Sequence, residues 1–111
     1  MLPGMETIDA ATLHARLDRG EAIVLLDVRR PDDRAGGALP GARHLISDDV
    51  LERAAEVVPE REATIVTYSR SAECRRSLRA AERLESLDYP DVVRFTGGFE
   101  EWRDAGYELE Q

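Results

Sequence analysis

Apolar positions along the chain fall into two kinds of run, and their alternation predicts the architecture. "AIVLLDV" (22–28), "ATIVTY" (63–68) and "DVVRF" (91–95) are short and nearly continuous, the pattern of strands buried on both faces. Between them the spacing is helical. Asp9 is placed to cap a helix from Ala10 to Asp18, with Leu13 and Leu17 on its inner face and Gly20 as its stop. "SDDVLERAAEVV" (47–58) opens on a capping serine followed by acidic charge. "CRRSLRAAERLESL" (74–87) sets Leu78, Ala81, Leu84 and Leu87 on one stripe. After a "TGG" turn, "FEEWRDAG" (99–106) makes a short helix that Gly106 closes, with Trp102 facing the core. "RRPDDRAGGALPGARH" (29–44), full of Gly and Pro, predicts an irregular connection with at most one helical turn.

Strands alternating with helices predict an α/β domain: a mostly parallel central sheet with helices on both faces, because parallel strands need crossover connections. The length of 111 residues suits one domain, taken as 1–111. In such sheets ligands sit beyond the carboxyl ends of the strands, where loops enter helices. Ser69, directly after the 63–68 run, occupies such an end, and so does Asp27.

Charge narrows the choice of partner. Asp and Glu outnumber the basic residues 23 to 15, a formal charge of −8, and a surface of that sign repels nucleic acid and anionic membranes. All basic residues apart from the two histidines are Arg. "SRSAECRRSLR" (69–79) is the local exception, four arginines in an acidic chain, and the stretch best suited to an anion. No apolar run approaches a membrane span, and "MLPGMETID" lacks the basic-then-apolar order of a signal peptide. The single cysteine, Cys74, fits a reducing cytoplasm, which is the expected location.

Four stretches, in order and at consistent spacing, carry a resemblance: "LLDVRRPDD" (25–33), "LPGARHL" (39–45), "IVTYSRSAECRRSLRAAERL" (65–84) and "DVVRFTGGFEEWRDAGY" (91–107). Together they are similar to the single-domain rhodanese (thiosulfate sulfurtransferase) family. The resemblance implies a double displacement in which a thiolate takes the outer sulfur of a donor, becomes a persulfide and passes the sulfur on. It implies no cofactor and no metal. The family usually has Cys directly after the central-strand Tyr; here that position is Ser69. It also usually has His where this chain has Ala38. The loop is about two residues longer than the commonest form and resembles a subgroup with Cys at both ends and a Ser three residues beyond the second. Cys74 and Ser77 match that second Cys and that Ser.

Sulfur transfer needs a thiolate, and a loop of backbone N–H groups feeding a helix N-terminus lowers a thiol's pKa. A serine hydroxyl ionises far less readily and needs an adjacent base. His14, read as a surface residue of its helix, and His44, ahead of an expected strand, are the only histidines, and neither is near Ser69 in sequence. The loop Ser69, Arg70, Ser71, Ala72, Glu73 to Arg75 is expected to bind a small sulfur-containing anion or a protein partner, with Glu73 working against a dianion. Asp27 and Arg29, matching the family's Asp-x-Arg, and Ser77 are expected to brace the loop. Gly97 and Gly98 are expected to serve turn geometry.

Three readings follow. In the first, Ser69 at the nucleophile position leaves the protein inactive or very weak as a sulfurtransferase, with the loop kept for binding. In the second it is active, either through Cys74 or because Ser69 is an engineered Cys→Ser change. The third takes Ser69 to Arg75 as the Cys-x5-Arg spacing of a phosphatase loop, which also needs the thiol.

Overall fold

The computed structural model describes residues 5–111; residues 1–4, counted in the domain above, lie outside the described residues. The chain runs β1 (Thr7–Ile8), α1 (Ala10–Asp18), β2 (Ile23–Asp27), β3 (Arg43–His44), α2 (Val50–Val57), β4 (Thr64–Tyr68), α3 (Arg76–Ser86), β5 (Val92–Phe95) and α4 (Gly98–Asp104), with 3-10 turns at Pro31–Arg34 and Ser47–Asp49. The five strands form a parallel sheet in the order β1-β5-β4-β2-β3. β4 is central, paired to β2 from Ile23↔Thr64 to Asp27↔Tyr68 and to β5 from Ile65↔Val92 to Tyr68↔Phe95.

Side chains alternate along a strand, so each central strand feeds two cores. Val24, Leu26, Ile65 and Val92 pack with Val50 and Ala54 of α2 and with Ala80, Ala81 and Leu84 of α3. Leu25, Val66, Val93 and Phe95 pack on the opposite face with Leu13 of α1 and with Phe99 and Trp102 of α4. Each fully buried leucine contributes roughly 2 kcal/mol, and Leu13, Leu26 and Leu84 are all fully buried. The α/β reading with helices on both faces holds. Among the described residues no helix is long and apolar enough to cross a membrane.

Several details differ from the sequence reading. Two strands, β1 and β3, have two residues each, too few for a periodic signal, and exist because β5 and β2 supply their partners. The 47–58 helix begins as a 3-10 turn and becomes α-helical at Val50. The 74–87 helix begins at Arg76, because Cys74 N–H closes a turn onto the Ser71 carbonyl, 3.1 Å. Its buried face is Ser77, Ala80, Ala81 and Leu84, with Leu78 and Leu87 at the margins. His14 is half-buried, stacked on Tyr107 with ring centroids 3.9 Å apart, rather than free on the surface. His44 is itself in β3, with Nε2 2.9 Å from the Arg29 carbonyl.

Candidate functional site

Ser69 follows the last residue of the central strand, at the carboxyl edge of the sheet, and is 1% exposed. Its carbonyl accepts from Phe99 N–H and the Arg70 carbonyl from Glu100 N–H, both 2.9 Å, so the first turn of α4 fixes the start of the loop. Gly98 makes that approach feasible: its φ is +63°, and a Cβ there would run into the Ser69 carbonyl oxygen. Gly97 is also tight, since a Cβ would meet the Glu101 side chain.

The far end of the loop closes on itself. The Ser69 hydroxyl donates to the Cys74 carbonyl, 3.3 Å, and Arg94 Nη2 donates to the same oxygen, 3.2 Å. Arg94 Nε donates to Ser77 Oγ, 2.9 Å, while Thr67 Oγ1 donates to the Ser77 carbonyl, 2.9 Å. Ser77 therefore joins β4, β5 and the first turn of α3. Sequence reasoning missed Arg94; its signal is a charged residue at an inward position of the apolar run 91–95.

Cys74 is half-buried. Burial pushes its thiol up, yet the Ser69 hydroxyl, the backbone N–H groups of Arg76 and Arg70, and the Arg76 charge together hold it below the ordinary thiol value. The loop thus brings Ser69 and Cys74 together although they are five residues apart. Ser71 is buried, whereas Arg70, Ala72, Glu73 and Arg75 are exposed. Arg70 lies 3.9 Å from Glu100. Cys74 and Arg75 line a cleft of about 470 Å³ with Ser47, Asp48, Arg76 and Arg79.

Asp27 and Arg29 act one loop away from where the sequence placed them. Arg29, 1% exposed, gives Nε and Nη2 to the Asp27 carboxylate and reaches the Asp33 and Gly37 carbonyls, 2.9 and 2.8 Å. These bonds brace the 31–39 connection. The link to the site is indirect: Tyr68 Oη donates to Asp27 Oδ2, 2.9 Å, and accepts from Leu39 N–H, and Tyr68 precedes Ser69. Burial pushes the Asp27 carboxyl up, but the Arg29 hydrogen bonds and charge and the Tyr68 hydroxyl bring it below its ordinary value. Burial and the Asp27 charge raise Tyr68. Among the described residues no group of three or more His, Cys, Asp or Glu side chains could hold a metal ion.

A loop anchored by buried Ser69 after the central strand of a parallel sheet, clamped by a helix behind a Gly-Gly turn, lies within residues 9–105, which match the sequence pattern described as "Rhodanese-like domain". The chain belongs to the rhodanese-like family. A sulfurtransferase of Allochromatium vinosum is 32% identical over 99 residues, 89% of each chain. A helix-turn-helix-type transcriptional regulator of Mycobacterium tuberculosis is 32% identical over 96% of this chain, which spans only 45% of that protein. The solved rhodanese-like domain of an Anabaena protein superposes with a TM-score of 0.82 at 30% identity, covering 99% of this chain and 80% of that one.

Proposed function

We propose that this rhodanese domain does not transfer sulfur through residue 69 and keeps loop 69–75 for binding a small sulfur-containing anion. The observation that carries the reading is a hydroxyl at the position where the family's chemistry requires a thiolate. Ser69 is buried, with its hydroxyl donated to the Cys74 carbonyl, while His14 stacks on Tyr107 and His44 contacts the Arg29 carbonyl, so among the described residues neither histidine bonds it as a base. An oxygen-bound sulfur would also lack the stability of a persulfide.

The test is thiosulfate:cyanide sulfurtransferase activity. Unaltered protein is expected at background, and Ser69→Cys to gain ~10³-fold or more, since deleting a nucleophile costs enzymes at least that much. A wild-type rate equal to that of Ser69→Cys and retained in Cys74→Ser would refute the reading.

A second reading has support of its own, the lowered thiol of Cys74. Its thiolate would attack the outer sulfur of thiosulfate, breaking the S–S bond and releasing sulfite as a Cys74 persulfide forms. One Ser69 proton serves either the Cys74 carbonyl or the sulfur, and Arg94 would keep the carbonyl bonded when that proton turns to the thiolate. Intact mass after thiosulfate treatment separates the readings. A gain of one sulfur atom, absent in Cys74→Ser, favours the second, and no gain favours the first. The phosphatase chemistry of a Cys-x5-Arg loop needs the thiol at residue 69 as well, where this chain has Ser.

A further inference from the structure

We propose that the arginine-lined cleft between the Ser47–Asp49 turn and the start of α3 binds a small molecule carrying two or more anionic groups. The residues that define it are Arg75, Arg76 and Arg79, gathered on one side of a concavity of about 470 Å³. Arg75 and Arg79 are four apart and Arg76 and Arg79 three apart, spacings that bring side chains together along a helical face. The cleft shares Cys74 and Arg75 with the loop and runs from there toward Arg79 and the Ser47–Asp49 turn, and the binding proposed does not depend on any sulfur chemistry.

Charge is the main argument. A chain of net charge −8 offers abundant carboxylates, yet among the described residues neither Arg75 nor Arg79 has one within ion-pair distance. Arg76 has only Asp48, at 4.0 Å. Arg83, one turn further on, is already occupied: its Nη1 donates to the Ser47 carbonyl, 2.7 Å, and to Ser47 Oγ, 3.1 Å. That contact and the Ser47 hydroxyl bonded to the Arg76 carbonyl, 3.0 Å, fix the two walls of the cleft to each other. Three guanidiniums on a fixed wall match several anionic oxygens at once, which one monoanion would leave partly unused. Asp48 is the opposing charge on the rim. Its repulsion lowers the affinity for any anion, so the three guanidiniums have to outweigh it.

Inorganic pyrophosphate, with inorganic phosphate as the single-group comparison, is the probe, titrated calorimetrically at low ionic strength where exposed charges are least screened. Pyrophosphate is expected to bind at least roughly tenfold more tightly than phosphate. Arg79→Gln should weaken it by roughly five- to tenfold, whereas Arg53→Gln, the same charge change on α2, should leave it unaltered. Asp48→Asn should tighten it by roughly two- to fivefold, a gain that damage to the fold would not produce. Equal affinity for phosphate and pyrophosphate, or equal losses in Arg79→Gln and Arg53→Gln, would overturn the proposal. So would tighter binding of a tetraglutamate peptide, which would assign the cleft to an acidic protein segment instead. Thiosulfate binding reports separately on the loop: its loss in Arg70→Gln with pyrophosphate binding intact sets the two sites apart, and its absence in the wild type sinks the loop reading alone.

Discussion

At the scale of single residues, a hydroxyl and a thiol meet across one loop. Ser69 contributes a hydrogen bond to the Cys74 carbonyl, and Cys74 carries the thiol. The balance on Cys74 is between burial, which disfavours the thiolate, and hydrogen bonds that favour it, with the latter prevailing. The rate of Cys74 alkylation by iodoacetamide is therefore expected to rise with a midpoint below that of a free thiol. Ser69→Ala removes a donor to the thiolate and should move that midpoint upward. Mass spectrometry across a pH series measures both, and a wild-type midpoint at or above the free-thiol value would show burial winning.

At the scale of elements, the loop is held from outside by α4 and β5. Gly98→Ala places a Cβ against the Ser69 carbonyl at a positive φ. It should cost about 2 kcal/mol or more, read from the urea midpoint. Arg94→Met leaves the Ser77 hydroxyl without its donor and the Cys74 carbonyl with Ser69 alone. A loss of about 1–3 kcal/mol is expected, with faster amide exchange across residues 69–77 than in the rest of the sheet. Uniform exchange throughout would mean Arg94 stabilises the domain without positioning the loop. These contacts were illegible in advance because they join residues 17 to 30 apart and mostly end on backbone atoms, which carry no sequence signature.

At the scale of the molecule, one buried ion pair ties the 31–39 connection to β2 and, through Tyr68, to β4. Asp27→Ala would strand the Arg29 guanidinium, which also lies 4.5 Å from the Phe99 ring centroid, and should cost about 3–5 kcal/mol. The pH dependence has a definite sign. Asp27 is held below its ordinary value when folded, so its contribution is complete above the unfolded carboxyl value, roughly 3.9, and disappears as pH falls through the folded one. Glu60, held at about 2 by its hydrogen bonds from Arg43, acts in the same direction. Urea midpoints from pH 5 downward should fall steeply for the wild type and less steeply for Asp27→Asn. Identical slopes would remove Asp27 as a cause of acid unfolding.

Much of this was legible in the chain alone. Apolar runs and helical spacing are local properties, so the three long strands, the four helices and the α/β class followed from them, as did the family from four motifs in register. Helix starts, the two-residue strands and the stacked position of His14 depend on partners distant in sequence, and periodicity is blind to those. The tertiary structure alone decided that Arg29 braces the neighbouring connection, that Arg94 reaches the loop, and that three arginines share one cleft. Local patterns record which face of an element avoids water; where two faces meet is settled only when the whole chain packs.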